Sequence, residues 1–348
     1  MLKMTAFKKE LTVDIVPLFE TVDDLVNSAE IMESLYSNKE YRAHVTSRNN
    51  KQTIMLGFSD GTKDGGYLMA NWSIFKAKEE LTRISRKHNI KVIFFDGRGG
   101  PPARGGGKTH QFYASLGPTI ENEEVQLTIQ GQTISSNFGT TDSAQYNLEQ
   151  LISSGVSNEF FDSAKNTLTP EQKNIMDELA SLSYKAYTDF KNHDKFLPYL
   201  ENISTLKYYA KTNIGSRPSK RKSSETLNFS DLRAIPFVGS WSQLKQNVPG
   251  FFGVGTALLK FEENGDFDKV ISFYHNSKFF KSLIDNSMMS MKKSFFELTR
   301  YMENDPEFGD FWRLIHQEFL TSKRLVLKLA NHSELMQNYP VSKASIEV

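Results

Sequence analysis

The stretch KVIFFDGRGGPPARGGGKTH, residues 91–110, decides the fold of this chain. After Lys91 it continues with Val, Ile and Phe in series, and an apolar run without polar alternation is typical of a strand that helices cover on both faces. Such strands belong to parallel sheets, whose carboxyl ends carry the chemistry of α/β enzymes. The stretch therefore predicts a buried strand that delivers Asp96 and Arg98 to the mouth of an α/β fold.

A loop with glycine at positions 99, 100, 105, 106 and 107 follows and carries a second arginine, Arg104. Glycine permits positive φ and close backbone approach, so the guanidiniums of Arg98 and Arg104 can converge. Each guanidinium offers a planar fork of donors that matches phosphate or carboxylate. The loop therefore predicts an anion site, and the alternative of two solvated arginines on a flexible loop stays open.

The end of the stretch, Gly107-Lys108-Thr109, resembles the end of a nucleotide-binding P-loop. That motif requires glycine at position 102, where this chain has Pro102. We therefore reject a P-loop.

Composition limits the class of protein. The chain has 348 residues, of which 39% are hydrophobic and 24% charged, as in globular proteins with one large or two medium cores. A net charge of +1 argues against a nucleic-acid partner, and the absence of cysteine excludes disulfides and thiolate metal sites. No apolar run approaches the roughly 18 residues of a membrane helix, and the first ten residues lack the apolar core of a signal peptide. We expect a cytoplasmic protein that does not enter membranes.

Two strand-and-helix units precede residue 91. Residues 11–20 predict a strand that presents Glu20 at its end, before a helix that begins near Thr21. Residues 53–60 predict a strand ending at Asp60, followed by a turn into a helix over residues 67–88, which Asn89 ends as a left-handed cap. In that helix we assign the charged residues to the solvent side: Lys76, Lys78, Glu79, Glu80, Arg83 and Arg86.

A fourth strand is expected at residues 125–131, with a short continuation to Phe138. Four parallel strands describe half of an eight-stranded barrel. We therefore predict a helix-rich α/β fold: a partial (β/α)8 TIM-type barrel over residues 1–140 that carries the site, then an all-helical region over residues 141–348. Two unpaired strand edges should be covered by helices or by another chain. Candidate helices of the second region are 144–153, 170–193, 267–274, 279–302 and 310–335.

A polar insert, residues 212–231, interrupts the helical region. Arg217 and Arg233 flank it, and its Gly, Ser and Pro residues favour a mobile lid that folds over an anion. The alternative interpretation of its Lys220-Arg221-Lys222 run is a solvated basic turn.

Two carboxylates, Glu20 and Asp60, end neighbouring predicted strands in a chain without cysteine. Oxygen ligands of this kind suit Mg²⁺ or Mn²⁺, which commonly use one or two protein carboxylates plus substrate oxygens. The alternatives are a helix cap for Glu20 and a turn residue for Asp60.

Five segments occur in a fixed order: VPLFET, MLGFSDGTKDGG, FFDGRGGPPARGGG, GSRPSKR and LRAIPF. In order and spacing they resemble the carboxyl-terminal half of phosphoenolpyruvate carboxylase, from about residue 13 to residue 335. The resemblance implies a helix-rich (β/α)8 barrel and a lyase of carbon dioxide fixation. That reaction joins phosphoenolpyruvate and bicarbonate, with Mg²⁺ or Mn²⁺, to give oxaloacetate and phosphate. It also implies an allosteric homo-oligomer.

The resemblance assigns roles to individual residues. In the family's reaction, bicarbonate attacks phosphorus to give carboxyphosphate and the enolate of pyruvate. Carboxyphosphate splits into carbon dioxide and phosphate, and the enolate carbon then attacks the carbon dioxide. An inhibitor site for aspartate or malate would use Arg104 and Lys293, with Lys292 as the alternative to Lys293. The implied metal ligands are Glu20 and Asp60, the implied substrate-binding groups are Arg98, Gly99, Gly100, Arg217 and Arg233, and Lys63 assists them.

The chain also departs from the family. The TAHPTE motif is missing, and the chain stops at Val348, short of the family's asparagine-bearing tail. Asp96 replaces a histidine, so we expect some weakening of substrate binding, because a carboxylate there repels the substrate unless it is protonated or bound to metal. Gln132 and Phe237 replace a glutamate and a tryptophan. We therefore expect a portion of a carboxylase that is inactive without the amino-terminal half or a partner chain. The alternative is a non-catalytic scaffold that binds phosphorylated or dicarboxylate ligands.

Overall fold

A computed structural model of the chain describes residues 13–161, 167–209, 228–229 and 232–347. The strands in these ranges are β1 (Leu18–Phe19), β2 (Lys51–Gly57), β3 (Lys91–Gly97) and β4 (Val125–Leu127). The helices around the strands are α1 (Val22–Ser37), α2 (Lys39–Ser47), α3 (Phe58–Gly65), α4 (Tyr67–Lys87), α5 (Thr109–Ala114) and α6 (Gln132–Phe138). The helices that follow are α7 (Thr141–Phe160), α8 (Pro170–Lys191), α9 (Phe196–Asn202), α10 (Leu206–Tyr209), α11 (Ala234–Gln243), α12 (Val254–Glu263), α13 (Phe267–Asn276), α14 (Lys278–Lys292), α15 (Gly309–Ala330) and α16 (Pro340–Glu347).

The four strands form one parallel sheet in the order β1-β2-β3-β4. The pairing of β2 with β3 runs in register from Lys51 opposite Lys91 to Gly57 opposite Gly97. A parallel sheet among many helices confirms the predicted helix-rich α/β class. It also brings the carboxyl ends of all four strands to one edge, which we call the carboxyl edge.

Several predicted boundaries are wrong. In the first strand only Leu18–Phe19 pairs with β2, and the second strand ends at Gly57, so Asp60 lies in the first turn of α3. An acid in the first turn and a lysine in the last turn suit the helix dipole, which favours helix over turn here. The fourth strand stops at Leu127, and Gly131, with φ of 59°, begins helix α6 where we expected a strand.

Helix ends follow local side-chain chemistry. Thr21 and Asp24 form a reciprocal capping box at the start of α1, and Thr169 and Gln172 do the same at α8. Asn89, with φ of 52°, confirms the left-handed cap after α4. These ends were readable from sequence because the stabilising contacts lie within a few residues.

The helical region differs in length and number from the prediction. The expected helix 279–302 ends at Lys292, and a separate 3₁₀ helix occupies Phe296–Asn304. Helices α11 and α12 were not expected. Aromatic rings fill the interior: Phe190 stacks on Phe311 with centroids 5.2 Å apart and contacts Phe196 at 5.0 Å. No helix in the described ranges has a stretch long and apolar enough to cross a membrane.

Candidate active site

The carboxyl edge collects residues that follow three different strands. Glu20 comes directly after β1, Asp60 lies in the helix after β2, and Arg98 comes directly after β3. Because β1, β2 and β3 are adjacent and parallel, these residues start from neighbouring points on one edge. The Phe58 ring at the start of α3 lies 4.9 Å from the Arg98 guanidinium carbon, which links the ends of β2 and β3.

Glu20 packs against the turn that carries Asp60. A Cβ added to Gly57 would lie 2.6 Å from the Glu20 Cβ, and one added to Gly61 would lie 3.3 Å from the Glu20 carbonyl oxygen. Both carboxylate-bearing residues are partly exposed, so ions from solvent can reach them. The described residues contain no group of three or more metal-ligating His, Asp or Glu side chains. Two carboxylates fit Mg²⁺ or Mn²⁺, which complete their shells with water and substrate oxygens.

Lys63 contacts the residue that precedes Arg233, although the two are far apart in sequence. The buried Lys63 ammonium donates to the carbonyl oxygen of Leu232, 2.6 Å away, and lies 4.8 Å from the Phe229 ring centroid. Arg233 is the next residue, and its Nε is buried without a hydrogen-bond partner in the described structure. Tertiary folding thus brings the predicted arginine against α3. Arg217 and the predicted lid, apart from Asn228 and Phe229, lie outside the described residues.

Arg98 is a buried cation, with only 3% of its surface exposed. Its guanidinium carbon lies 4.3 Å from the centroid of Phe112 and 5.6 Å from that of Tyr113. Both Nε and Nη1 are buried without hydrogen-bond partners among the described residues. Buried donors in folded proteins are nearly always paired, so unused guanidinium donors indicate a place for an acceptor from outside the chain.

Asp96, which we expected to repel the substrate unless protonated or bound to metal, is paired with a cation inside the protein. Its Oδ2 accepts a hydrogen bond from the Lys78 ammonium at 2.8 Å and another from the Tyr113 hydroxyl at 2.6 Å. The assignment of Lys78 to the solvent side of its helix is wrong, because this lysine is only 1% exposed. The lysine therefore compensates the aspartate inside the protein.

The glycine loop holds Arg104 beside the same edge. Its Nε donates to the Ser59 hydroxyl at 3.1 Å and its Nη2 donates to Gln130 at 2.6 Å. A Cβ on Gly99 would lie 2.7 Å from the Arg104 Cζ, so only glycine lets the arginine fold back here. Burial lowers the pKa of Arg104 and the nearby Asp60 charge opposes that shift, which places the carboxylate and the guanidinium in one electrostatic environment.

The chain is similar in sequence to proteins of a known family. A family model described as "Phosphoenolpyruvate carboxylase" matches residues 1–348. The chain belongs to the phosphoenolpyruvate carboxylase family. Proteins named phosphoenolpyruvate carboxylase are 36% identical in Nitrosomonas eutropha over 348 residues, 35% in Corynebacterium efficiens over 345 residues and 32% in Rhodothermus marinus over 345 residues. The matches cover 97%, 96% and 97% of this chain and 37% of each of those proteins.

The two residues that the family resemblance assigns to an inhibitor site, Arg104 and Lys293, do not bond to each other in the described ranges. Lys293 is the exposed carboxyl-terminal cap of α14, and its backbone N–H donates to the Met289 carbonyl at 3.2 Å. Lys292 forms an ion pair with Glu347 of α16. The turn that carries Arg104 packs against α14, but within the described ranges no hydrogen bond or ion pair connects Arg104 to Lys293.

Sequence reasoning missed Lys78, Tyr113 and the aromatic surroundings of Arg98. Lys78 gave a weak signal, because a lysine two positions from Lys76 on an amphipathic helix cannot face the same side as its neighbour. Asp96 gave another signal, because an acid at the end of an apolar strand needs a buried cation.

Proposed function

We propose that this chain forms the metal- and anion-binding part of a phosphoenolpyruvate carboxylase, which converts phosphoenolpyruvate and bicarbonate to oxaloacetate and phosphate. The observation that carries the proposal is the pair of unpartnered guanidinium nitrogens on buried Arg98, at the edge that also holds Glu20 and Asp60. A planar, permanently ionised donor with free N–H groups matches a phosphate group.

Glu20 and Asp60 would hold the divalent cation. When bound, Mg²⁺ or Mn²⁺ supplies positive charge where the substrate oxygens become more negative during the reaction. Glu20 is suited to this task because it lies over the glycine-bearing turn between β2 and Asp60, with a partly exposed side chain. Its proposed role needs no third carboxylate.

The arginines would bind and orient the two anionic substrates. Arg98 and Arg233 each have a buried nitrogen without a partner in the described structure, and Arg217 is proposed to join them. Gly99 and Gly100 allow the chain to come close to a ligand, since they have no side chain. Lys63 supports Arg233 through the Leu232 carbonyl. Phe58 and Phe112 beside Arg98 exclude water, which strengthens the attraction between guanidinium and phosphate.

The complete enzyme is proposed to need residues beyond this chain, because the chain spans about 37% of the length of the curated relatives it matches. Under this proposal residues 1–140 supply half of a (β/α)8 barrel and residues 141–348 supply helices around it, in a cytoplasmic homo-oligomer. Arg104 and Lys293 are proposed to contribute to a site for aspartate or malate. The chain alone should then bind ligands without turnover.

Calorimetric titration with Mn²⁺ tests the metal site. We expect the Glu20→Gln/Asp60→Asn variant to lose Mn²⁺ binding by at least roughly tenfold in affinity, because both charged ligands are removed. The matched control is Asp23→Asn/Glu30→Gln, which removes two exposed carboxylates of α1 and should bind Mn²⁺ like the unchanged chain. Equal heats from the first variant and the unchanged chain would remove the metal assignment.

A coupled assay tests the need for residues beyond the chain. The chain is mixed with phosphoenolpyruvate, bicarbonate and Mg²⁺, and oxaloacetate is detected with malate dehydrogenase. We expect binding of phosphoenolpyruvate by calorimetry and no oxaloacetate. Sustained oxaloacetate production would show that the chain carries a complete site, whereas failure to bind any phosphate ligand would favour a function other than carboxylation.

A further inference from the structure

A buried ion pair lies directly beneath the proposed anion site. Asp96 has no exposed surface, and its Oδ2 accepts from Lys78 and from Tyr113. Burial, reinforced by the Asp96 charge, raises the pKa of Tyr113 well above its usual value, so this hydroxyl stays protonated and donates. The other carboxylate oxygen, Oδ1, has no hydrogen-bond partner in the described structure. Asp96 is therefore bonded on one side only.

Lys78 and Arg98 approach the same two aromatic rings. The Lys78 ammonium lies 5.7 Å from the centroid of Phe112 and 5.7 Å from that of Tyr113. The Arg98 guanidinium lies 4.3 Å and 5.6 Å from the same centroids. Two cations and one carboxylate thus share a dry compartment between α4, β3 and α5. Their charges sum to +1.

The ion pair between Lys78 and Asp96 affects the charge of Arg98. Asp96 is two positions away in sequence, and without a closer cation it would attract the guanidinium and cancel its charge. Lys78 forms an ion pair with the carboxylate instead, and two nitrogens of Arg98 have no hydrogen-bond partner in the described structure. Removing either Lys78 or Asp96 alone would leave the other without its partner in the protein interior, which costs stability, so the two residues depend on each other.

We propose that Lys78 and Asp96 act together as positioning residues, whose mutual pairing leaves the Arg98 guanidinium uncompensated and turned toward an anionic phosphate group. The inference rests on the proposed function, because it assigns Arg98 to a phosphate. The aspartate is tolerated near a phosphate because α4 supplies its counter-ion.

The test measures inorganic phosphate affinity by calorimetry, with Mn²⁺ present, over about pH 6 to 8. The variants are Lys78→Gln and Lys78→Gln/Asp96→Asn. Lys76→Gln is the matched control, because Lys76 lies on the same helix with an exposed ion pair to Asp177. Each affinity is divided by that of the unchanged chain at the same pH, which cancels the titration of phosphate itself.

We expect Lys78→Gln to weaken phosphate binding by at least about tenfold near pH 8, because Asp96 then offsets the charge of Arg98. The double variant removes both charges and should bind within roughly threefold of the unchanged chain at every pH. A purely structural role for the pair would not produce this recovery of phosphate affinity by the second substitution.

The outcomes separate the two proposals. If the unchanged chain binds phosphate and Lys78→Gln binds it equally well at all pH values, the positioning role is overturned while the anion site stands. If the unchanged chain binds no phosphate, the anion site fails and the positioning role fails with it. If Lys78→Gln does not fold, the double variant decides: a folded protein with unchanged phosphate affinity supports the pairing, and one without affinity overturns it.

Discussion

Two buried carboxylates, Glu318 in the helical region and Asp96 at the carboxyl edge of the sheet, are stabilised in different ways. Glu318 lies on α15 and accepts hydrogen bonds from the backbone N–H groups of Gly253 and Thr256, at 3.0 and 3.2 Å. The hydroxyls of Thr256 and Ser322 donate to it at 2.7 and 3.3 Å. Both of its oxygens are used, and the charge lies at the start of α12, where the helix dipole favours an anion.

The carboxylate of Asp96 has hydrogen bonds to only one of its two oxygens in the described structure. One oxygen takes two hydrogen bonds, the other takes none, and the neighbouring Arg98 also has nitrogens without partners. A buried charge whose bonds all close within the chain serves the fold, while one left partly unpaired costs stability and is expected where a ligand binds. The comparison therefore predicts that changes in the helical region alter stability, and that changes at the carboxyl edge alter ligand affinity.

The largest expected effect on stability is in the aromatic interior of the helical region. Phe311→Ala should lower the free energy of unfolding by about 3–5 kcal/mol, because a ring only 1% exposed is lost from a packed cluster. Urea denaturation measures the change. The matched control is Phe160→Ala, whose ring is 73% exposed and should cost less than about 0.5 kcal/mol. A cost of that small size for Phe311→Ala would contradict the tight packing assigned to this region.

At the carboxyl edge, Arg98→Met should lower ligand affinity and leave stability almost unchanged. Phosphate affinity, measured by calorimetry, should fall by roughly a hundredfold because the uncompensated charge is removed. The free energy of unfolding should change by less than about 1 kcal/mol, because the buried guanidinium has two unsatisfied donors that methionine lacks. Arg83→Met on the exposed side of α4 serves as the control. A large loss of stability with unchanged phosphate affinity would assign Arg98 to the fold.

The smallest expected effect is a pH dependence at Glu318. Burial raises the pKa of Glu318 above its usual value, although its four hydrogen bonds oppose the shift. A carboxyl group whose folded-state pKa is raised favours folding below its unfolded pKa, about 4.3, and loses that contribution as pH rises through the folded-state pKa. Glu318→Gln cannot ionise, so it should become more stable relative to the unchanged chain as pH rises from about 4 toward neutrality.

Urea midpoints of both proteins across this pH range measure the effect, and their difference cancels the titration of all other groups. Any hydrogen bond that glutamine fails to make adds a constant offset, which does not depend on pH. A difference that stays constant from acid to neutral pH would show that Glu318 is as easily ionised in the folded chain as in the unfolded one.

Much of the carboxyl edge was predictable from sequence. The apolar run 92–95 predicted β3, and the order of strands and helices predicted a parallel sheet with Glu20 and Arg98 at its edge. Asp60 was expected at the end of the second strand and instead lies in the first turn of α3. The burial of Lys78 was not predicted, because helical periodicity shows which residues share a face and does not show how many faces are covered. Most of α4 is buried, including positions that a two-sided helix would expose.

The amino-acid sequence by itself determined the local features: the apolar strand β3, the helix caps at Thr21 and Asn89, and the arginines and glycines that define the chemistry of the loop. These depend on neighbouring residues, so they are visible in a short stretch. Only the tertiary structure decided which charges are buried and paired. The Lys78 ammonium reaches Asp96 from another element, and Lys63 reaches the residue before Arg233 across 169 positions. Burial and electrostatic pairing depend on distances in space, which packing of the whole chain sets.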